Sequence, residues 1–490
     1  MSEVIEPVTL PYSYARRAGV VLRAGAGGLE CVHRPDAALD ALLEVQRIAP
    51  SARFVAVEDA VFDQALAASY SGSGAAAAEF DLGGMDLAAL ADSAAAVDDL
   101  LDTRDDSPVI RLINALLLEA VKEGASDVHV ETQEKRVVVR FRIDGVLRDK
   151  LEPQRALAPL LISRIKVMAK LDIAEKRVPQ DGRVTLRIGG HDVDARVSTL
   201  PTQHGERVVM RLLEKGSLKL DMEALGMSAR DREVFSRLLE RPHGMLLVTG
   251  PTGSGKTTSL YAALQRLNDR KRNIMTVEDP IEYELPGIGQ TQVNTRTGMT
   301  FARGLRAILR QDPDVIMVGE IRDQETAEVA VRSAMTGHFV LSTLHTNSAV
   351  GSVTRLIDMG VERYLLAPML VGLAAQRLVR RLCPSCRRED VASEGDAMLL
   401  GGALKAGEPV WRAAGCDDCH GDGYRGRAGL YEVVAVDERF QAMIHDGASE
   451  AEIEAHARRE SPSLLDDGVA KVRAGVTTVE EVARVVREEA

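Results

Sequence analysis

The stretch that decides the fold is Gly244-Met-Leu-Leu-Val-Thr-Gly-Pro-Thr-Gly-Ser-Gly-Lys-Thr257. Its apolar run, 244–249, predicts a buried strand, and the three glycines that follow predict a tight loop before a helix. In that order the N–H groups of the loop and the N-terminus of the helix point at one space, which suits phosphate oxygens. Lys256 can reach the β- and γ-phosphates, and the Thr257 hydroxyl can ligate Mg²⁺. The stretch predicts a P-loop, the alternative being a chance glycine turn before a helix.

The predicted nucleotide-binding residues are nine consecutive positions. They are Gly250, Pro251, Thr252, Gly253, Ser254, Gly255, Lys256, Thr257 and Thr258. The signal is specific because strand, glycine loop, lysine, threonine and helix all occur in the required order. The sequence therefore predicts a nucleoside triphosphate and Mg²⁺ as ligands, and it leaves open what the hydrolysis drives.

The composition is typical of a globular protein with several domains. The chain has 490 residues, of which 45% are hydrophobic and 27% charged, and this length predicts about three domains. A formal net charge of −12 and an aromatic content of 3% argue against a nucleic-acid-binding protein. The first ten residues lack the basic start of a signal peptide, and the longest apolar stretch, 364–375, is shorter than the roughly 20 residues that span a bilayer. We expect a cytoplasmic protein that reaches a membrane only through a partner.

The sequence predicts four regions that differ in composition and periodicity. They are a small N-terminal α/β module (1–68), a flexible linker (69–106), a second N-terminal α+β domain (107–219) and a RecA-like α/β domain (220–490). Glycine, serine and alanine mark the linker. Ser107-Pro108 suits the start of a helix, and the last region alternates strands and helices, as a parallel sheet requires.

Individual elements follow from hydrophobic periodicity. Strands are predicted at 20–22, 54–57, 137–143, 245–249, 273–277, 315–318 and 339–343, with a β-rich stretch at 183–213. Helices are predicted at 36–45, from Pro108 to a stop at Gly124, and within 466–486. Because the carboxyl ends of parallel strands meet at one edge of a sheet, residues that follow the last four strands should lie near the P-loop.

Three polar residues close or follow those strands. Glu320 follows the strand 315–318 in the Walker B pattern and can orient or deprotonate the attacking water. Glu278 follows the strand 273–277 and is expected to reach Mg²⁺ or the attacking water indirectly. His345 lies just past the strand 339–343, where it either senses the γ-phosphate or is a structural histidine.

Four of the five cysteines form two closely spaced pairs, Cys383-Pro-Ser-Cys386 and Cys416-Asp-Asp-Cys419. Two Cys-x₂-Cys pairs suit tetrahedral Zn²⁺, and four thiolates leave no open position for catalysis. We predict a structural zinc subdomain at 383–425, inserted in the RecA-like domain. The fifth residue, Cys31, is expected to be a core residue.

Arginines form two groups on the flanks of the predicted nucleotide domain. They are Arg183, Arg196, Arg207 and Arg211 in the second domain, and Arg303, Arg306 and Arg310 before the Walker B strand. Arginines often complete a phosphoryl-transfer site, within one subunit or from a neighbour. One or two of these are expected to contact phosphate, and the others to be surface or ion-pair residues.

From residue 108 onward the chain resembles the secretion traffic ATPases, in particular their type II secretion branch (the general secretory pathway protein E family). The stretches that carry the resemblance are 125–131, 141–146, 180–183, 196–199, 204–207, 277–280 and 343–346, and the segment 10–17 is similar to the secretion branch. The family's Asp box matches 278–282, its Walker B motif 314–320 and its His box 338–345. The tetracysteine set is similar to that of assembly-type members and is absent from retraction-type ones.

This resemblance implies a homo-hexameric ATPase in which a mobile, PAS-like second domain lies over each nucleotide. Arg196 and Arg211 match the family's phosphate-approaching arginines and, with Glu320, Glu278 and His345, form the implied catalytic set. ATP turnover would drive a polytopic inner-membrane platform protein to extrude a pseudopilus. The N-terminal module would dock on the cytoplasmic domain of a bitopic inner-membrane protein, which would hold the ATPase peripherally at that membrane.

Two other functions stay open. A type IV pilus assembly ATPase has the same chemistry and a different platform. A zinc-containing nucleic-acid motor or binding protein belongs to another class, and it predicts strongly salt-dependent binding to DNA or RNA. The acidic composition disfavours that class, so we expect no nucleic-acid partner.

Overall fold

The computed structural model describes residues 18–25, 28–35, 37–50, 52–58, 108–188, 191–214 and 221–486, with a few isolated positions before residue 92. The chain divides into two compact units, Met1–Glu214 and Lys215–Ala490. The predicted linker and the segment 10–17 lie almost entirely outside the described residues, as does the predicted helix cap Ser107. The four predicted region boundaries stay predictions.

Residues 20–56 of the first unit, as far as the structure describes them, contain a three-stranded sheet and a helix. These elements are β1 (Val20–Gly25), β2 (Gly28–His33), α1 (Leu39–Ile48) and β3 (Arg53–Ala56). Strand β2 lies in the middle, antiparallel to β1 and parallel to β3. The helix begins three residues later than predicted. Strand β2 was not predicted, because its alternation is interrupted where the apolar residues Cys31 and Val32 are adjacent. Cys31 is fully buried, which confirms it as a core residue.

A six-stranded antiparallel sheet with two helices follows in the first unit. Its elements are α2 (Pro108–Lys122), β4 (Ala125–Thr132), β5 (Val137–Ile143), β6 (Val146–Leu151), α3 (Ala158–Met168), β7 (Gln180–Ile188), β8 (His191–Thr202) and β9 (Gly205–Glu214). The strand order is β6-β5-β4-β9-β8-β7. One face of the sheet is apolar and joins both helices in a single hydrophobic core. The opposite face is charged, as alternation in half-buried antiparallel strands predicts.

The second unit is built on a seven-stranded sheet with helices. Its strands are β10 (Gly244–Thr249), β11 (Ile274–Glu278), β12 (Gly289–Gln292), β13 (Val315–Val318), β14 (Phe339–Leu344), β15 (Leu370–Leu382) and β18 (Tyr424–Ala435). Strands β16 (Arg388–Val391) and β17 (Pro409–Arg412) form a separate two-stranded antiparallel sheet. The order is β12-β11-β13-β14-β10-β15-β18, and only the pair β15–β18 is antiparallel.

The helices of the second unit are mostly short. They are α4 (Ala229–Leu239), α5 (Lys256–Leu267), α6 (Phe301–Ile308), α7 (Gln324–Met335), α8 (Gly351–Asp358), α9 (Arg363–Met369), α10 (Glu394–Leu399), α11 (Glu438–Asp446), α12 (Glu450–Ala457), α13 (Leu464–Arg473) and α14 (Val479–Val486). The predicted helical stretch 466–486 is two helices, α13 and α14, separated by a turn at Gly475.

Strand β10 shows why the sheet is central. All six of its residues are buried, and they alternate between two hydrophobic cores. Leu247 packs with one core, whereas Leu246 and Val248 pack with the other. A strand that is apolar on both faces requires cover on both, as in parallel α/β sheets. This confirms the predicted α/β fold and places the loop after Thr249 at the carboxyl edge of the sheet.

Two long strands, β15 and β18, were not predicted. The apolar stretch 364–375 falls partly in α9 and partly in β15, so its residues are divided between a helix and a strand. In the part of the chain that the structure describes, no helix combines the length and the apolar character that crossing a bilayer requires.

Candidate nucleotide site and tetracysteine cluster

The loop after β10 takes a shape that requires glycine. Gly250, Gly253 and Gly255 all have positive φ angles, of 148°, 81° and 90°, which side chains rarely adopt. A Cβ at Gly250 would lie 2.5 Å from the carbonyl oxygen of Gln376, and a Cβ at Gly255 would lie 2.7 Å from the Nε2 of that residue. The loop therefore curls closely over β15 before helix α5 begins at Lys256.

The polar groups of the loop fit a phosphate ligand. The Lys256 side chain is buried, and its Nζ donates to the carbonyl oxygens of Gly250 (2.6 Å) and Pro251 (3.0 Å). The Ser254 hydroxyl is buried without a hydrogen-bond partner, an arrangement that a bound oxyanion would satisfy. Thr257 is exposed at the second position of α5, where its hydroxyl is available to a metal ion. These features match the donor set that triphosphate and Mg²⁺ require.

Glu320 and His345 meet at the same edge of the sheet. Glu320 lies two residues beyond the end of β13, and His345 directly follows β14. One oxygen of Glu320 lies 3.5 Å from His345 Nε2, and the other accepts a hydrogen bond from Arg322 Nη2 at 2.5 Å. The predicted convergence of these two residues is therefore observed. The sequence reasoning did not select Arg322, although its position two residues after a Walker B glutamate was a usable signal.

The charges of these residues act on one another. Burial lowers the pKa of Lys256 to about 8, with the charge of Arg377 acting in the same direction and that of Glu320 opposing it. Burial also lowers the pKa of His345 below its usual value, and the nearby Lys256 charge adds to this effect. Lys256, Glu320 and His345 thus form one electrostatic cluster at the mouth of the loop.

Glu278 is less accessible than predicted. It is the last residue of β11 and 3% exposed. One carboxylate oxygen accepts from the Tyr261 hydroxyl, and the other accepts from Thr276 Oγ1 (2.6 Å) and Gln290 Nε2 (3.0 Å). Since Tyr261 belongs to α5, these bonds fix the P-loop helix against the sheet. The predicted indirect contact of Glu278 with Mg²⁺ or the attacking water stays a prediction.

The two arginines predicted to approach phosphate, Arg196 and Arg211, lie in the first unit. They are opposite each other on strands β8 and β9, on the charged face of the sheet. Arg183 lies opposite Arg196 on β7, and Arg211 Nε donates to Asp127 at 3.0 Å. The three arginines therefore form a row across β7, β8 and β9, and Asp127 on β4 lies opposite Arg211 at its end. Contact of Arg196 and Arg211 with phosphate stays a prediction.

The other predicted arginines have local partners. Arg207 contacts Glu131 at 2.8 Å, and Arg306 contacts Glu325 at 2.7 Å. Arg303 and Arg310 donate to backbone carbonyl oxygens, at 3.3 and 2.8 Å. The observed contacts of these four residues are those of surface hydrogen bonds and ion pairs.

The four paired cysteines come together in the second unit. Their sulfur atoms all lie within 4.8 Å of one another. The distances are 3.9 Å for Cys383–Cys416 and 3.8 Å for both Cys386–Cys419 and Cys416–Cys419. Four sulfurs at about 2.3 Å from one tetrahedral ion would be about 3.8 Å apart, so the set fits Zn²⁺. The N–H groups of Cys416 and Gly423 also donate to Cys419 Sγ, which stabilises a thiolate.

The fold and this site define a P-loop ATPase with an added tetracysteine cluster. The family model for type II/IV secretion system proteins matches residues 102–484, and the model for an N-terminal domain of GSPII protein E matches residues 9–70. Among solved structures, the pilus retraction motor PilT with bound ADP is 26% identical, with a TM-score of 0.53 over 76% of this chain and 96% of that one. The Legionella pneumophila ATPase DotB is 20% identical, with a TM-score of 0.58 over 78% and 96%, and shows the shared fold.

Relatives that match over nearly the whole chain show to which group of P-loop ATPases it belongs. The type II secretion system protein E of Pseudomonas aeruginosa is 58% identical, over 99% of this chain and 97% of the relative. The type II secretion system ATPase E of Vibrio cholerae is 53% identical, over 98% and 97%. This chain therefore belongs to the type II/IV secretion system protein family, and it is an ATPase of the type II secretion system protein E group.

Proposed function

We propose that this protein is a cytoplasmic homo-hexameric motor whose ATP hydrolysis powers pseudopilus assembly and protein export through a type II secretion system. The observation that carries the proposal is the convergence of Lys256, Glu320 and His345 in a chain that matches type II secretion relatives over nearly its whole length. A motor needs turnover, and these three residues supply phosphate binding and activation of water.

The geometry supports a separate role for each of these residues during hydrolysis. Lys256 leaves the loop carbonyls and binds the β- and γ-phosphates, while the loop N–H groups hold the remaining oxygens. Thr257 would hold Mg²⁺, which neutralises charge on the phosphates when bound. Glu320 accepts the hydrogen bond of the attacking water and orients it toward phosphorus. His345, neutral at pH 7 because its pKa is lowered, donates or accepts a hydrogen bond near the γ-phosphate.

Arg196 and Arg211 are the arginines proposed to complete the reaction, either within one subunit or from a neighbouring one. Arg196 and Arg211 neutralise charge that develops on the transferred phosphoryl group, with Asp127 holding Arg211 in place. Glu278 acts indirectly in this scheme, because its carboxylate fixes helix α5 through Tyr261. Zinc in the tetracysteine subdomain is structural.

The N-terminal module is the proposed docking site for the cytoplasmic domain of a bitopic inner-membrane protein. Helix α1 buries Ala41 and Val45 but leaves Leu39 and Leu43 exposed, by 69% and 59%. These leucines are four residues apart and so share one face of the helix. Docking there would hold the motor at the inner membrane, near the polytopic platform protein that it drives.

A type IV pilus assembly ATPase is the second candidate, because the fold is shared with a pilus motor. A pull-down of full-length protein on the cytoplasmic domain of each system's bitopic partner separates the two. Leu43→Asp should abolish capture by the secretion partner, whereas Arg53→Gln, which changes the charge by the same amount at an exposed site on strand β3, should not. Capture by the pilus partner alone would reject the secretion branch.

The motor itself is tested by enzymology. The rate per subunit should rise with protein concentration as the ring forms, and should rise again with the partner's cytoplasmic domain and acidic lipid. A full rate from dilute monomer would reject the hexamer, and tight, salt-dependent binding to DNA would favour the nucleic-acid motor instead.

A further inference from the structure

Arg377 is a buried cation that the mechanism above does not use. It lies on β15, which runs parallel to β10, with Thr249 opposite Ala375. Strand β15 therefore passes directly beside the phosphate loop two residues later. Only 3% of Arg377 is exposed, so its guanidinium is fixed inside the protein rather than on its surface.

The guanidinium lies between the phosphate loop and the segment that follows His345. Its Nη1 donates to the carbonyl oxygen of Gln376 at 3.1 Å, and it lies 3.2 Å from where a Cβ of Gly250 would be. Its Nη2 donates to the carbonyl oxygen of Asn347 at 2.7 Å. Arg377 thus lies close to the first glycine of the loop and is hydrogen-bonded to the segment that follows His345.

That segment is held at a second point. The N–H of Thr346 donates to Thr249 Oγ1 at 2.9 Å, and the two threonine hydroxyls lie 2.6 Å apart. Two successive residues after His345 are therefore tied down, Thr346 to the end of β10 and Asn347 to Arg377. His345 is itself half-exposed at its side chain, so the direction of its ring depends on how this backbone is held.

We propose that Arg377 is a positioning residue of the ATPase, which fixes the His345 segment to strand β15 beside the phosphate loop. Two donors in a planar fork reach two carbonyl oxygens at once, which a lysine at the same position cannot do. A displacement of about 1 Å at a catalytic group lowers a rate by roughly 10²-fold. The inference rests on the proposed role of His345, through which Arg377 acts.

The test compares full-length Arg377→Gln, Arg377→Lys and His345→Ala with Arg380→Gln. Arg380 lies on the same strand, but its guanidinium pairs with Glu481 and Asp422 instead. We expect both Arg377 variants to lose kcat by roughly 10- to 100-fold, with the KM for ATP changed less than about threefold. Arg380→Gln should lower the thermal midpoint and leave kcat within about twofold, which separates a positioning role from a loss of stability.

The double variant Arg377→Gln/His345→Ala identifies the route of the effect. Since Arg377 acts through His345, kcat of the double variant should be within about twofold of the more impaired single variant. The inference would be overturned if the losses of kcat in the two single variants added up in the double variant. It would also be overturned if Arg377→Gln kept wild-type kcat while His345→Ala was impaired. Either result would leave the proposed function intact. If Arg377→Gln does not fold, the same comparison of kcat is made with Arg377→Lys, alone and combined with His345→Ala. Wild-type kcat in His345→Ala would remove the proposed role of His345 and this inference with it.

Discussion

The phosphate loop and the tetracysteine cluster are both next to strand β15, yet they are built for opposite purposes. The loop contains groups that lack a lasting partner, such as the buried Ser254 hydroxyl and a lysine that donates to nearby carbonyls. The cluster has four sulfurs at the spacing of one ion and backbone donors to one of them. One site is arranged to exchange a ligand, and the other to keep it.

This contrast predicts different results when each site is disrupted. A substitution in the loop should remove activity while the fold survives, because few of its polar groups hold the structure together. A substitution in the cluster should reduce stability first, because a closed metal site contributes directly to folding.

The largest effect on activity is expected from Lys256→Ala. It removes the charge that binds the β- and γ-phosphates, so ATP turnover should fall by about 10³-fold or more. The thermal midpoint should change little, since Lys256 bonds only to loop carbonyls. Steady-state ATPase assays check this, with exposed Lys271→Ala as the control. Normal turnover in Lys256→Ala would reject the P-loop assignment.

The next largest effect is expected from Glu320→Gln. The amide keeps the size of the side chain but orients and polarises water poorly, so kcat should fall by about 10²- to 10³-fold. ATP should still bind, because the loop is unchanged, and equilibrium binding of a fluorescent ATP analogue measures this. Glu325→Gln, an exposed residue on α7 that pairs with Arg306, is the matched control. Loss of binding together with turnover would mean that Glu320 contributes to the nucleotide pocket.

The loop and the cluster were predictable from sequence because their patterns are local. Spacing alone identified Lys256 and the four cysteines, and the hydrophobic runs placed Glu320 and His345 at strand ends. Arg377 was not predictable in this way. It follows an apolar stretch that gives no strand signal of its own, and it meets the loop only because β15 pairs with β10. For Glu278 the sequence predicted the position at the end of a strand. It did not predict the burial of Glu278 beneath Tyr261, because that depends on how helix α5 packs on the sheet.

At the cluster, replacing Cys383 and Cys386 by serine should remove bound zinc. Half of the ligand set is lost, and a site with two thiolates binds zinc far more weakly. We expect a lower thermal midpoint and faster proteolysis of the region 383–425, with a smaller loss of activity than in the loop variants. Metal analysis of the purified protein and limited proteolysis check this, with the exposed Ser385→Ala as control. Unchanged zinc content would end the structural-zinc assignment.

The smallest effect is expected from a change of pH, which acts on Lys256 in the phosphate loop. Lys256 has a pKa of about 8 because it is buried, so it loses its proton as pH rises through that value. The charged form binds phosphate, and the affinity of the free enzyme for ATP should therefore fall by about tenfold between pH 7 and pH 9. Below pH 7 the lysine is already charged, and this contribution is constant. Lys256→Arg should lose the alkaline dependence whatever its absolute affinity, because arginine stays protonated throughout this range. A wild-type affinity that is flat across pH 8 would mean that ATP binding does not change the protonation of Lys256, and it would contradict this prediction.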